Sequence, residues 1–571
     1  MKRIYTATCL LALILLAGCT KFLDTKPLGG VPETDFYKNL NELSAGATSV
    51  YDIWQSAEYE KAMAVLGDLP SDNFVWKNES DVSAMQIETF STTPDNAYVK
   101  SWYKLNYQGI FRANRVIKAA PDVELITNAG NSIDYFRQYR HIYGQALFMR
   151  AFFYFKLVQA FGGVPIIPET YKIGDPATPR STPDQVYDYI EKDLREATYA
   201  LYSEITVNSD YGQVTKWSAA GLLEKVLVFR SKPGIAGTSW DHATAIGDWL
   251  IKGNNLTVGT LFPAGIDTSF YRRMKLDDSY KPLLSNPGYD LNNLYAIDGN
   301  QFNIVNVKQL NPSFITSFQD IAVQNSLSNT EAILFIMHKE RQTGDNLPYE
   351  TGSNLPAFYG GYNSYDGNCM MVPTQSLDAV MTADPRDKYG CLSHNEPLPP
   401  EDFPDVNVGG QNGSPTFLVF VKYWVVSTDR PSSGSGYVGR NTVLLRYADV
   451  LLLYAEALNE KGNTGDAIVY LNKVRARVKL GAKAIGPYEM IRDLIWKERR
   501  IELAGEYERF FDIVRQGDIY ATMQALGSSE NMARKKGEGA RRFIRYVNEI
   551  YPIPKEEIIL SNGVINQNPG Y

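Results

Sequence analysis

One stretch near the end of the chain limits the possible folds more than any other. "LRYADVLLLYAEALNEKGNTGDAIVYLNKVRAR" carries Leu451, Tyr454, Ala455 and Leu458, then Ala467 and Leu471, with Gly462-Asn463 between the two sets. Apolar residues three and four apart share one face of a helix. A Gly-Asn turn separates the two periodic runs, so the segment spells a pair of antiparallel helices. Ala455 and Ala467 are small enough to let the two helices approach closely. A lone helix pair leaves its apolar face uncovered, so the rest of the chain must supply more helices.

The upstream sequence does so. Residues 34–260 read mainly as helices. Val99–Ala120 and Arg140–Gly163 keep helical periodicity, and the second run stops at paired glycines, a usual C-terminal signal. "STPDQVYDYIEKDLREATYAL" opens with Ser181 as the candidate N-cap and Asp184 three residues on. "TKWSAAGLLEKVLVF" and "WDHATAIGDWLIKG" add two helices. The 451–471 spacing fits a tetratricopeptide unit, but no strict 34-residue period runs through the chain. The expected fold is mainly α, built of degenerate helix pairs.

Residues 253–440 differ in composition. Glycine, proline, asparagine and tyrosine crowd segments such as "SNPGYDLNNLYAIDGNQFN" and "NLPAFYGGYNSYDGN". Short apolar runs at Ala332–Met337 and Thr416–Val426 are candidate strands. The expected organisation is a helical part over 19–252, a loop-rich insertion over 253–440 and a second helical part over 441–571. The insertion is too aromatic for a disordered segment. The chain has 37 Tyr and 8 Trp, and tyrosine offers a flat apolar face with a hydroxyl, suited to sugars and peptides but equally to a helical core.

The N-terminus has the order of a secretory signal. Lys2 and Arg3 precede the apolar run Leu10–Leu16, and Ala17-Gly18 supply small residues at the cleavage point. The run is shorter than the roughly 20 residues needed to cross a bilayer. Leu16-Ala17-Gly18-Cys19 fits a lipobox, which makes residues 1–18 a leader and Cys19 the lipid-attachment site. Several acyl chains, palmitate included, each contribute about 0.8 kcal/mol per buried CH₂ and hold a soluble body at a membrane.

Loss of Lys2 and Arg3 takes the net charge from -7 to -9, a balance that argues against nucleic acid as a partner. Cys369 and Cys391 remain in the mature chain, either paired or free. With His141, His242, His338 and His394 they form no zinc spacing, and no metal or cofactor is expected. No G-x-S-x-G elbow, H-E-x-x-H or P-loop occurs. "GSGYVG" at 434–439 matches G-x-G-x-x-G, but a helix pair follows it where a βαβ unit is required, so it reads as a loop. Carboxylates abound without any pair standing out as a glycosidase dyad. "KERRIELAGEYERFFDIVRQGD" sets Glu498 and Glu502 one helical step apart, with Arg499, Arg500 and Arg509 close by. Its mixed, alternating charges favour an ion-pair network over an anion site, with Phe510, Phe511 and Ile513 as the apolar side.

Several segments together resemble the RagB/SusD nutrient-uptake lipoproteins of Bacteroidetes outer membranes. They are the lipobox with "CTKFLDTKP", "RAFFYFKLVQAFGGVPII", "VPTQSLDAVMTADPRD", "LLRYADVLLLYAEALNEKG", "ERRIELAGEYERFFDIVRQGD" and "YPIPKEEIILSNGVINQNPGY". The resemblance implies a SusD-like α-helical globule with tetratricopeptide-like pairs and a large irregular ligand-bearing part. It also implies a non-enzymatic, lipid-anchored outer-membrane protein, facing the exterior, that captures oligosaccharide for a SusC-like TonB-dependent transporter. Family ligand surfaces point to Asp72, Asn73 and Trp76 in "LGDLPSDNFVWKNES", and to the loop aromatics Tyr289, Tyr295, Tyr359, Tyr362 and Tyr365. Peptide capture on the same fold is the nearest alternative. An exported glycosidase and a protein-binding scaffold follow.

Overall fold

The computed structural model describes residues 36–76, 80–120, 132–172, 174–202, 212–252, 261, 331–337, 370–387, 391–393, 418–420, 422, 441–517, 519–530 and 542–571. Cys19, Cys369, the "GSGYVG" motif and Tyr289, Tyr295, Tyr359, Tyr362 and Tyr365 lie outside them.

The first helical part runs α1 (Leu40–Trp54), α2 (Ala57–Asp68), a short strand β1 (Phe74–Trp76), α3 (Val82–Glu88) and α4 (Ala97–Ala119). It continues with α5 (Ser132–Phe161), α6 (Pro183–Ala200), α7 (Lys216–Arg230) and α8 (Thr238–Lys252). Side-chain caps set the starts. Asn39, Ser56, Asp81 and Asn96 accept from first-turn N–H groups that have no partner within the helix.

The start of α6 corrects the sequence reading by one residue. Thr182, not Ser181, is the N-cap, because Gln185 three residues later closes a reciprocal capping box and Pro183 occupies the first turn. Asp184 lies in that turn, where its charge suits the positive helix end. The paired glycines do end α5, and Gly162 turns the chain at φ +69.

Helix α5 is the central post. Leu147–Phe155 is buried on all sides, including Arg150, so this stretch has no solvent face and must be surrounded. It packs between α4 and α6, with α1 across it. Gly109 of α4 lies against the ring of Phe153, while Tyr59 and Trp102 pack with ring centres 4.6 Å apart.

The middle of the chain contributes β2 (Ala332–Ile336), β3 (Met371–Pro373), α9 (Gln375–Met381), β4 (Cys391–Ser393) and β5 (Leu418–Phe420). Both candidate runs therefore contain strands; the first stops one residue short of Met337. The chain then enters β6 (Thr442–Arg446), α10 (Tyr447–Glu460), α11 (Thr464–Arg477), α12 (Tyr488–Glu502), α13 (Arg509–Arg515), α14 (Ile519–Glu530) and α15 (Lys555–Leu560). Gly462 at φ +80 makes the turn of the expected helix pair α10–α11, and Asn463 caps α11. Ala455 and Ala467 are fully buried between the two helices.

Strands pair only in two-stranded antiparallel ladders among the described residues: β1 with β3, β2 with β6, and β4 with β5. The first two ladders tie the middle of the chain to the helical parts on either side. One continuous apolar core joins all of this, from Leu40 to Ile565. Much of the aromatic content goes into it: Trp54, Trp102, Trp217, Trp240, Tyr59, Tyr154 and Tyr454 are fully buried.

Gly67, near the end of α2, shows how tight the join is. A Cβ there would collide with the backbone carbonyl of Tyr507, which itself turns at φ +65. Backbone cannot step aside as a flexible side chain can. Gly67→Ala is expected to cost about 1–3 kcal/mol, read as a lower denaturant midpoint, whereas alanine at exposed Gly237, where a Cβ meets nothing within 4 Å, should leave the midpoint unchanged.

Candidate functional site

The described part of the candidate site is the turn from α2 into β1. Asp68 closes α2, and its carboxylate accepts the backbone N–H groups of Tyr507 (3.0 Å) and Arg509 (3.4 Å). Ser71 donates to the carbonyl of Asp68, and its hydroxyl accepts the N–H of Asn73 at 3.2 Å. The turn is thereby fixed on the α12–α13 junction before its functional candidates begin.

Asp72 is 3% exposed and Asn73 0%. Arg509 donates to Asp72 from Nε and Nη2 at 2.7 and 2.9 Å, a bidentate fork, and Arg500 Nη2 lies 3.1 Å from its Oδ2. Arg500 also donates to Asn73 Oδ1 at 2.9 Å, to the Asp72 carbonyl at 2.9 Å and to Ser376 Oγ at 3.0 Å. Burial alone would raise the Asp72 carboxyl, but Arg509 and Arg500 outweigh it and hold it down at about 2.

From the other side, Thr374 donates its N–H to the Asn73 carbonyl and its hydroxyl to the Asp72 carbonyl. Trp76 pairs with Met371 in the β1–β3 ladder, its N–H donates to Glu88 Oε2 at 3.2 Å, and it is 5% exposed within the core. The structure thus brings Asp72, Asn73 and Trp76 together, but beneath the surface. That corrects their expected role as direct contacts. A buried ring cannot stack on a ligand, and a carboxylate engaged by two guanidiniums has little left to offer a hydroxyl. Their part is to fasten the middle segment 371–376 to the helical frame.

The same fastening is repeated in the charged block. Glu502, fully buried at the end of α12, receives three arginines from three parts of the chain. Arg386 Nη1 from the middle part lies at 2.7 Å, Arg446 Nη1 from β6 at 2.5 Å, and Arg477 from the end of α11 closes the set. Burial pushes the Glu502 carboxyl up; Arg477, Arg446 and Arg386 together hold it well below the usual range.

Glu331, just before β2, binds Arg446 and Arg477 at 2.8 Å each. Lys422 donates to Glu506 and to the carbonyls of Glu502 and Ala504. Its burial lowers it to about 8, against the pull of Glu506. A second cluster joins Arg499 to Asp449 and Asp512, Lys225 to Asp449 and Glu508, and Lys156 to Glu508. The block at 497–518 is therefore an ion-pair network, as its alternating signs suggest, and Phe510, Phe511 and Ile513 are buried beside it.

Sequence reading missed the partners Glu331, Arg386, Lys422, Arg446 and Arg477. The visible signal was the isolated charge inside an apolar run, as at Arg446 and Asp449 in "TVLLRYADVLLLYAEA". Among the described residues no three or more His, Cys, Asp or Glu side chains gather as a metal would need, and no helix is long and apolar enough to cross a membrane.

Two family models match the chain at its two ends. The SusD family covers residues 404–571, and a SusD-like family described as starch-binding and associating with the outer membrane covers 21–228. The chain belongs to the SusD family. SusD-like protein P38 of Formosa agariphila is 25% identical over 527 residues, 90% of this chain and 91% of its own. Among solved structures, a SusD homolog from Bacteroides thetaiotaomicron superposes with a TM-score of 0.71 at 19% identity, covering 95% of this chain and 99% of that one. A laminarin-binding SusD-like protein superposes with a TM-score of 0.67 at 24% identity, covering 94% and 100%. The fold is SusD-like: mainly α, with few strands.

Two outcomes follow from the SusD-like charge network. Glu502→Gln removes the buried carboxylate that three guanidiniums share, leaving them their outer partners, Glu331, Glu498 and Glu506 among them, and is expected to cost about 3–5 kcal/mol of stability, checked by denaturant unfolding. Asp72 and Glu502, and in α6 Glu191, which pairs with Arg195 and Arg230, are all depressed in the folded chain, so the stability they contribute is complete above the unfolded value of about 4 and is lost as pH falls through the folded ones. Their share of the stability should hold from about pH 7 to 5 and fall between about pH 4 and 2, lowering the unfolding midpoint there, while Glu224 and Asp193, raised by burial, add stability as pH falls toward the unfolded value.

Proposed function

We propose that this protein is a cell-surface glycan-binding lipoprotein that captures an oligosaccharide and delivers it to a SusC-like TonB-dependent transporter. The observation that carries the reading is the arrangement of the chain: SusD family matches at both ends, and between them a part of tyrosine-rich sequence whose described residues Glu331 and Arg386 are tied to the helical frame. The laminarin-binding name of one structural relative supports a glycan as the ligand class.

In this reading Tyr289, Tyr295, Tyr359, Tyr362 and Tyr365 supply the stacking faces, which hold sugar rings through their apolar sides while the hydroxyls bond outward. Asp72, Asn73 and Trp76 act from below by holding segment 371–376. The protein binds and hands over its ligand without bond cleavage, so it needs no nucleophile and no cofactor. Cys19, acylated after removal of residues 1–18, keeps the body at the outer membrane beside its partner barrel.

The test is retardation of the mature chain, from Thr20, in gels containing single purified polysaccharides, with each mixture assayed for released product. Saturable binding without product is expected, and Tyr362→Ala or Tyr365→Ala should weaken it several-fold. Binding of peptides only would change the substrate class, and release of oligosaccharide would overturn the capture reading. For the anchor, Cys19→Ala should leave the fold intact and release the chain from membranes; a variant that stays membrane-bound through a high-salt wash would contradict it.

A further inference from the structure

A second surface, far along the chain from the tyrosine-rich part, carries its own recognition chemistry. Arg542 to Glu549 form a tight turn after α14. Asn548 Oδ1 accepts the N–H of Ile544 at 2.6 Å, Glu549 Oε1 accepts the N–H of Tyr546 at 2.8 Å, and Asn548 Nδ2 donates to the hydroxyl of Tyr571. Arg542 N–H donates to the carbonyl of Thr89, and Phe543 packs edge-on against Phe90 at 5.0 Å. The turn is anchored at both ends, yet its tip points outward: Tyr546 is 78% exposed.

Tyr546 also sits in the left-handed region, at φ +67. A side chain with a Cβ is disfavoured there, and glycine or asparagine would be at ease. Among the described residues three other aromatics have positive φ, and packing accounts for each. Phe90 and Tyr507 are buried in the core, and the Tyr37 ring lies against Gly46. Tyr546 has no such return, since its ring is in solvent. A strained conformation retained without a packing gain points to use of the side chain itself.

What surrounds the ring gives the ligand class. The Arg545 guanidinium lies 5.0 Å from the Tyr546 ring centre and 5.8 Å from that of Tyr520, which is itself 41% exposed. Arg545 thus bridges two exposed rings. Neither Arg542 nor Arg545 is ion-paired among the described residues, and both are exposed. The Glu549 carboxylate, within the same turn, is turned onto the backbone N–H of Tyr546. The sequence from Arg534 to Arg545 holds six basic residues and one acidic, in a chain whose net charge is -7. Local positive charge on an acidic protein selects anions, and guanidinium forks match carboxylate and sulfate.

From this juxtaposition of exposed rings and unpaired guanidiniums we infer that Tyr520, Arg542, Arg545 and Tyr546 form a second binding surface, for acidic glycan chains bearing carboxylate or sulfate groups. A pyranose ring lies on the open face of Tyr546, and its acidic substituents meet Arg545 and Arg542. A lipid surface is the poorer fit, because membrane-seated turns insert an apolar wedge, whereas the projecting groups here are a phenol and two guanidiniums, with Ile544 alone beside them. The inference rests on the glycan-capture reading for its ligand class and on separate residues for its site.

The experiment uses the mature chain in gels containing polygalacturonate, chondroitin sulfate or neutral dextran, and in flotation with phosphatidylglycerol vesicles. Tyr546→Gly removes the ring while relieving the backbone, so it should melt at the same or a higher temperature yet bind the acidic polymers roughly 2–10-fold more weakly. Arg545→Ala should lose a similar factor, Arg545→Lys should recover part of it, and added salt should weaken the wild type more than Arg545→Ala. Equal retardation of wild type and variants, or a lower melting temperature for Tyr546→Gly, would overturn the inference, as would binding to the vesicles alone. Tyr362→Ala separates the two sites. Acidic binding that responds to Tyr546 but not to Tyr362 would uphold this surface and count against the tyrosine-rich one, and the reverse pattern would count against this surface only.

Discussion

The buried carboxylate of Glu502 is the interaction on which the rest of the structure depends. Its three arginines arrive from the middle part, from β6 and from the end of α11. None of these charges is tolerable in the interior alone, since an unpaired buried ion costs several kcal/mol. Each element therefore supplies a buried partner that the others need. Nonpolar residues of equal volume would supply as much stability, but not this demand for one geometry. Hydrophobic burial closes the core; Glu502 and its neighbours fix where the pieces of chain stand relative to one another.

That division of labour suits a protein with a constant frame and a variable surface. Among the described residues, polar clamps hold the middle part: Glu331 by Arg446 and Arg477, Arg386 by Glu498 and Glu502, Lys422 by Glu506, and Thr374 by the turn at Asp72. The Glu331 clamp meets β6 and the end of α11; the others meet α12, the α12–α13 junction, or the α2–β1 turn fastened to it. Lengthening a connection between such clamps costs little extra entropy. In the proposed reading, ligand choice resides between the clamps while the tetratricopeptide-like pair α10–α11 stays as it is.

Much of the frame was legible in the sequence because helices write their periodicity locally. The pair at 451–471, the stop at Gly162 and the alternating charges of 497–518 all follow from residues a few positions apart. The N-cap of α6 was misplaced by one because Ser181 and Thr182 are both good caps, and only the reach of Gln185 decides between them. The candidate site was less legible for a different reason. Asp72, Asn73 and Trp76 are the residue types that bind sugars, but their partners Arg500 and Arg509 lie more than 400 positions away. Residue type is local information and burial is not. The strained turn at Tyr546 was likewise invisible, since nothing in "RRFIRYVNEI" announces a left-handed tyrosine.

The central claim is that a rigid helical frame carries a separate, ligand-reading part. Hydrogen–deuterium exchange of the mature chain, with and without a saturating bound glycan, tests it most directly. The account predicts slow exchange in α5, α10 and α12 in both states, with new protection concentrated within residues 253–440. Ligand-induced protection confined to the α10–α11 pair, with none in 253–440, would contradict it.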